Sequence, residues 1–193
     1  MEQLSVDQIL LKVRDFADQA HGEQMRKYSD DRYIVHPVRV METTRLYLPN
    51  LAVQAAALLH DVLEDTPVTR EEILVFLETI MDKTHAAQTV KLVEELTDVF
   101  IKKDFPRLKR KERKRREVER LEAASAEAQT IKYADIFDNA DVTYNDENFA
   151  PVFLKEARMF LEKMSKGHPA LREIVRARIE ECLAHLESRR IYQ

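Results

Sequence analysis

Apolar residues recur at helical spacing along almost the whole chain. Ile9, Leu10, Val13, Phe16, Ala17 and Ala20 share one face. The capping box Ser5-Val6-Asp7-Gln8 opens that first helix, which closes near Gly22. A polar stretch, 26–33, follows without the alternation of a strand. His36-Pro37 predicts the start of a second helix, because the missing N–H of proline costs little in a first turn. Pro49-Asn50 separates it from a third, with Asn50 as N-cap. In the third, Leu51, Val53, Ala55, Ala56, Ala57, Leu58, Leu59, Val62 and Leu63 cover nearly every face, which predicts a buried central helix. It runs on into His60-Asp61-Val62-Leu63-Glu64-Asp65. A second capping box, Thr69-Arg70-Glu71-Glu72, opens a helix to about 81, and another spans 86–97. Pro106 opens a basic helix to about 124. A helix around 131–140 and two more, near 149–164 and 169–191, complete the pattern, with Gly167 as the break between the last two. The expectation is an all-α, compact single domain over residues 1–193.

Composition narrows the chemistry. Hydrophobic residues make up 45% and charged residues 34% of 193, a globular and not a disordered balance. Two glycines argue against glycine-rich phosphate loops, and the single Cys182 excludes an intramolecular disulfide framework or a cysteine-rich zinc site. No apolar run approaches about 18 residues, and the N-terminus lacks a signal-peptide pattern, so no membrane partner and a cytoplasmic location are expected. The net charge of −4 hides a basic stripe: residues 102–120 carry eleven Lys/Arg against four acids. A solvated helix face accounts for most of these cations, with Lys109 or Arg113 as candidates to reach phosphates. No aromatic residue lies between Leu108 and Leu121, which disfavours base stacking and nucleic acid as a partner.

The chemistry concentrates where the apolar third helix ends. Burying a carboxylate costs several kcal/mol, about the desolvation penalty of an ion, unless something compensates it. Yet Asp61, Glu64 and Asp65 cluster with His60 within six residues, at i,i+3 and i,i+4 spacings that let their side chains converge. A divalent cation is the economical remedy, and imidazole with carboxylate is a suitable donor set. His36, fixed by Pro37 at a helix mouth where its ring can be aimed, is a candidate second donor. Asp135 sits among core-like Ile131, Tyr133, Ala134, Ile136 and Phe137, with Asn139 on its face. A buried helix-to-helix ion pair is the competing role for Asp135.

The sequence resembles the HD-domain hydrolases, and within them the RelA/SpoT-type alarmone hydrolase domain and its small stand-alone relatives. The resemblance rests on five ordered segments within about 6–145: Ala20-His21 with Arg26-Lys27; Tyr33-Ile34-Val35-His36-Pro37; Ala56 through Thr66; Val93 through Asp98; and Ile131-Lys132-Tyr133-Ala134-Asp135 with Asn139. It implies that His36, His60, Asp61 and Asp135 bind one divalent metal ion, usually Mn²⁺. It also implies that Glu64 and Asp65 handle the attacking water, and that Arg26, Lys27 and Asn139 contact a ppGpp-like nucleotide. The implied reaction removes the 3′-pyrophosphate of (p)ppGpp, giving GDP or GTP. The family's synthetase domain would not fit in this length, so a stand-alone hydrolase is expected.

Two stretches depart from the family pattern. Tyr28-Ser29-Asp30-Asp31-Arg32 replaces its usual loop with one extra residue, and Asp141 stands where a basic residue is common. Other readings therefore remain. One is an HD phosphohydrolase acting on another nucleotide, such as the 2′-phosphate of NADPH or a deoxynucleotide. The other is a helical module with a vestigial site whose basic stripe docks nucleic acid or an acidic partner. Of the remaining residues, His21 either supports the site from behind or ends a helix. His85, His168 and His185 are expected at the surface or in caps, and Cys182 in the core.

Overall fold

The computed structural model describes residues 4–27, 29–143, 146 and 148–191. Among them the regular structure is helical, the exception being an isolated antiparallel bridge between Met25 and Arg32. The all-α expectation therefore holds. The chain divides into two units, Met1–Thr97 and Asp98–Gln193.

The first unit holds α1 (Val6–His21), α2 (Val35–Arg45), α3 (Leu51–Leu59), α4 (Val62–Asp65), α5 (Arg70–Glu78) and α6 (Lys83–Leu96). Its centre is α3, which packs against α1, α2 and α6. Ala52 through Leu59 are all buried, so this helix has no solvent face and acts as the post around which the others are laid. The caps fall where the sequence places them. Ser5 and Gln8 exchange hydrogen bonds at the start of α1, Thr69 and Glu72 do so at α5, and the Asn50 side chain accepts from the Val53 amide at 3.2 Å. At α6 the helix begins earlier than expected, because the Asp82 carboxylate accepts from the amides of Thr84 and His85.

The second unit holds α7 (Arg110–Ala123), α8 (Ala126–Thr143), α9 (Ala150–Lys163) and α10 (Pro169–Ile191). Here α8 is central, packed against α9 and α10, while α7 packs on α9. The basic helix starts at Arg110 and not at Pro106. Lys109 is extended, Arg113 donates to the Leu108 carbonyl at 2.5 Å, and buried Glu117 accepts from the amides of Val99 and Phe100. The segment before the helix is thus tied down by side chains as a series of turns. Cys182 is buried, as expected.

Gly167 does more than interrupt a helix. A Cβ there would lie 2.4 Å from Cε2 of Tyr133 and 3.0 Å from the Thr130 amide nitrogen. Tyr133 is fully buried and donates its hydroxyl to the Met164 carbonyl at 2.6 Å, and burial pushes that hydroxyl's pKa up. The Gln129 side-chain oxygen accepts from the Lys166 and Gly167 amides, and Thr130 Oγ1 from the His168 amide. The α9–α10 turn is therefore held flat against α8. Gly167→Ala should destabilise the protein by about 1–3 kcal/mol through this overpacking, measured by denaturant unfolding. An unchanged midpoint would contradict the close approach.

Candidate metal centre

The helix expected to run unbroken from 51 to 65 is divided in two. His60 Nδ1 bonds to the Ala57 carbonyl at 2.8 Å, the acceptor that the Asp61 amide would use in a continuous α-helix. Asp61 takes φ −99° and ψ −4°, in the sparsely populated bridge region where active-site residues often sit. Its carbonyl then starts α4, accepting from the Asp65 amide at 2.9 Å. The interruption turns the Asp61 carboxylate toward His60 and His36, which the i,i+3 and i,i+4 arithmetic of one helix would not.

His36 lies in the first turn of α2, and both it and His60 are buried. Their rings meet edge-on, centroids 5.1 Å apart, and each offers a ring nitrogen within 4.8 Å of the other's. Asp61 Oδ2 lies 3.1 Å from Nε2 of His60 and 3.6 Å from Nε2 of His36. Tyr33 donates its hydroxyl to the same oxygen at 2.5 Å. A carbonyl only accepts, so the Ala57 bond puts a proton on His60 Nδ1 and turns Nε2 toward Asp61. Two imidazoles and a carboxylate brought this close are a donor set that a divalent cation fits.

Behind this group lies the 22–33 segment. Gly22, at φ +57°, turns the chain out of α1, and the Met25–Arg32 bridge closes the loop. Gln24 Nε2 donates to Asp65 Oδ2 at 3.1 Å, while Gln24 Oε1 meets His21 Nδ1 at 2.9 Å. Arg26 lies over the Tyr33 ring at 5.9 Å, and Arg26 and Lys27 line a depression of about 560 Å³ with Met25, Ser29 and Asp30. Glu64 and Asp65 are exposed on α4. Tyr28, the first residue of the departing loop 28–32, and the side chain of Asp141 lie outside the described residues.

In the second unit Asp135 is buried on α8, 6% exposed. Lys132 Nζ lies 2.8 Å from its Oδ2, and Asn139 Nδ2 donates to its Oδ1 at 2.6 Å. The two contacts orient the carboxylate on α8. Asn139 thus serves Asp135 directly. Lys109 is exposed at the N-cap of α7. Most of the basic helix is neutralised by its own acids and neighbours: Arg115 and Arg116 on Glu112, Arg120 on Glu117, Arg110 on Glu156 and Lys114 on Asp98. The paired Arg115 and Arg116 hold the Glu112 carboxyl down at about 2.

Sequence reasoning assigned no role to Tyr33, Gln24 or Lys132. Lys132 was legible, since an i,i+3 cation beside a buried aspartate is a helical pairing. Tyr33 and Gln24 reach their partners across 28 and 41 residues, which no spacing reveals.

The HD domain family model matches residues 33–140, more than half of the chain. The chain belongs to the HD domain family. Membership implies a divalent metal, in agreement with the donors above. Among curated proteins, the mouse and human guanosine-3′,5′-bis(diphosphate) 3′-pyrophosphohydrolases MESH1 are each 38% identical over 129 residues, 65% of this chain and 64% of theirs. The match thus spans under two thirds of those relatives. The guanosine-3′,5′-bis(diphosphate) 3′-pyrophosphohydrolase of Aquifex aeolicus is 31% identical over 156 residues, 79% of this chain and 19% of its own. A solved structure described as a metazoan ortholog of SpoT that hydrolyzes ppGpp shares the fold, with a TM-score of 0.73, 22% identity and coverage of 96% and 98%. No helix among the described residues of this HD protein is long and apolar enough to cross a membrane.

Asp98, at the end of the fourth matching segment, shares Lys132 with Asp135. Burial pushes its carboxyl up, but Lys132, Lys114 and Arg120 outweigh that and hold it below the ordinary value of 3.8. A lowered folded pKa means stability that is present above about pH 4 and lost as pH falls through the folded value. Lys114→Met should move the Asp98 titration upward in ¹³C-detected NMR, and acid unfolding should begin at higher pH. An unmoved titration would contradict the pairing at 2.7 Å.

Proposed function

We propose that this HD protein is a cytoplasmic, metal-dependent phosphohydrolase that removes the 3′-pyrophosphate of guanosine alarmones, converting ppGpp or pppGpp to GDP or GTP plus pyrophosphate. The observation that carries the reading is the convergence of His36 Nε2, His60 Nε2 and the Tyr33 hydroxyl on one oxygen of Asp61. The names of the mouse, human and Aquifex relatives point to the substrate.

His36, His60 and Asp61 would hold one ion, Mn²⁺ by resemblance, and Asp135 is proposed as its fourth donor, supported by its burial and by the orienting contacts of Lys132 and Asn139. When bound, the ion would polarise a phosphoryl oxygen and make a nearby water more acidic. Two histidines and two aspartates would leave a six-coordinate ion open positions. Glu64 and Asp65 are the proton acceptors for the attacking water. That water's oxygen bonds to the 3′-phosphorus, the bond to the ribose 3′-oxygen breaks, and that oxygen leaves protonated as the 3′-hydroxyl. Arg26 and Lys27 carry the cationic groups proposed to meet the phosphates, with Arg26 already aligned on Tyr33. Asn139 and Lys109 are the further proposed nucleotide contacts, Asn139 in addition to its bond with Asp135. No membrane or nucleic acid partner enters this reading.

Purified protein with Mn²⁺ should release pyrophosphate and GDP from ppGpp in equal amounts. Asp61→Ala should lower kcat by roughly 10³-fold or more, equivalent to about 4 kcal/mol, with the helical circular dichroism intact. Absence of turnover with Mn²⁺ and Mg²⁺ would refute the alarmone assignment. Release of phosphate from NADPH or a deoxynucleotide instead would transfer the same site to another substrate.

A further inference from the structure

Asp65 does not stand by itself at the edge of the site. Its Oδ2 accepts from Gln24 Nε2 at 3.1 Å. The same amide is held at its other end by His21, whose Nδ1 lies 2.9 Å from Gln24 Oε1. The orientation of the amide follows from chemistry. A carboxylate only accepts, so the NH₂ group must face Asp65 and the oxygen must face His21. Gln24 Oε1 in turn only accepts, so His21 carries its proton on Nδ1. His21 Nε2 is buried and has no hydrogen-bond partner.

The backbone locks this arrangement. The Gln24 amide donates to the His21 carbonyl at 3.1 Å, and the Gln24 carbonyl accepts from the Tyr33 amide at 2.9 Å. Arg32 donates to the Gly22 carbonyl at 3.1 Å and pairs with Asp18 at 2.9 Å, closing the loop against the end of α1. The His21 ring lies on the Tyr33 ring with centroids 4.4 Å apart, and Tyr33 is the residue that donates to Asp61. One buried imidazole therefore stands behind both carboxylates, reaching Asp65 through Gln24 and Asp61 through Tyr33.

We infer that Gln24 is a positioning residue for Asp65, its amide fixed in one orientation by the Nδ1–H of His21, so that the carboxylate is aimed at the attacking water. The catalytic part of this inference rests on the proposed hydrolysis. The orientation of the amide does not depend on it.

The test has two arms. In metal-free, ¹⁵N-labelled wild type, long-range ¹⁵N–¹H correlation should show His21 as the Nδ1–H tautomer, with its signals identified by their loss in His21→Phe. Gln24→Met, which keeps length without the amide, should release that preference. In the kinetic arm, Gln24→Met should lower kcat for ppGpp by about tenfold, with KM and Mn²⁺ content unchanged. His21→Phe should show the same loss. His21→Asn, whose amide can replace the Nδ1–H donor, should recover most of it, which a merely structural role would not predict. An Nε2–H tautomer in wild type, or a wild-type kcat in Gln24→Met, would overturn the inference. If wild type leaves ppGpp intact, the hydrolase reading falls, and the tautomer arm by itself decides whether the His21–Gln24–Asp65 chain exists.

Discussion

Two buried imidazoles gathered on one carboxylate oxygen form a donor set that positive charge among them stabilises. That arrangement organises the first unit. His60 spends its Nδ1 proton on the Ala57 carbonyl, and its Nε2 faces an Asp61 oxygen that His36 and Tyr33 also approach. The broken helix, the proline that sets His36 in the first turn of α2 and the loop carrying Tyr33 all serve this meeting. The apolar α3 supplies the rigid post from which His60 and Asp61 project, since a helix buried on every face has little freedom to shift.

The second unit arranges Asp135 by a different device. An exposed acid needs no help, but one buried on α8 is held by a cation one turn away and an amide four residues on. Lys132 also acts on Asp98, so it is a shared counter-charge and not a spare surface residue. Removing one partner of such a group leaves uncompensated charge in a low-dielectric place, which is costly even where the intact pair gives little net stability.

Much of this was legible in the chain itself. The capping boxes at Ser5 and Thr69, the N-cap at Asn50 and the apolar saturation of α3 are local patterns with local causes, and they fixed the helices well. The four candidate donors were legible because imidazole and carboxylate stood out against apolar neighbours. Three things were not. The break at His60–Asp61 depends on a side chain competing for a backbone carbonyl, which no periodicity encodes. The true start of the basic helix depends on Glu117 capturing distant amides. Tyr33 and Gln24 act through contacts made only after folding, so their roles emerge from geometry alone. Asn139 shows a subtler gap, since its spacing to Asp135 was visible but its direct bond to that carboxylate was not assigned.

The His36–His60–Asp61 group is a donor set for one divalent cation. Titration of Mn²⁺ into metal-free protein, followed by calorimetry and by the loss of the free-ion electron paramagnetic resonance signal, tests this directly. One ion per chain should bind, with affinity at least about 100-fold weaker in His60→Ala, where a donor is lost. Failure of the wild type to bind a divalent ion, or binding untouched by that substitution, would contradict it.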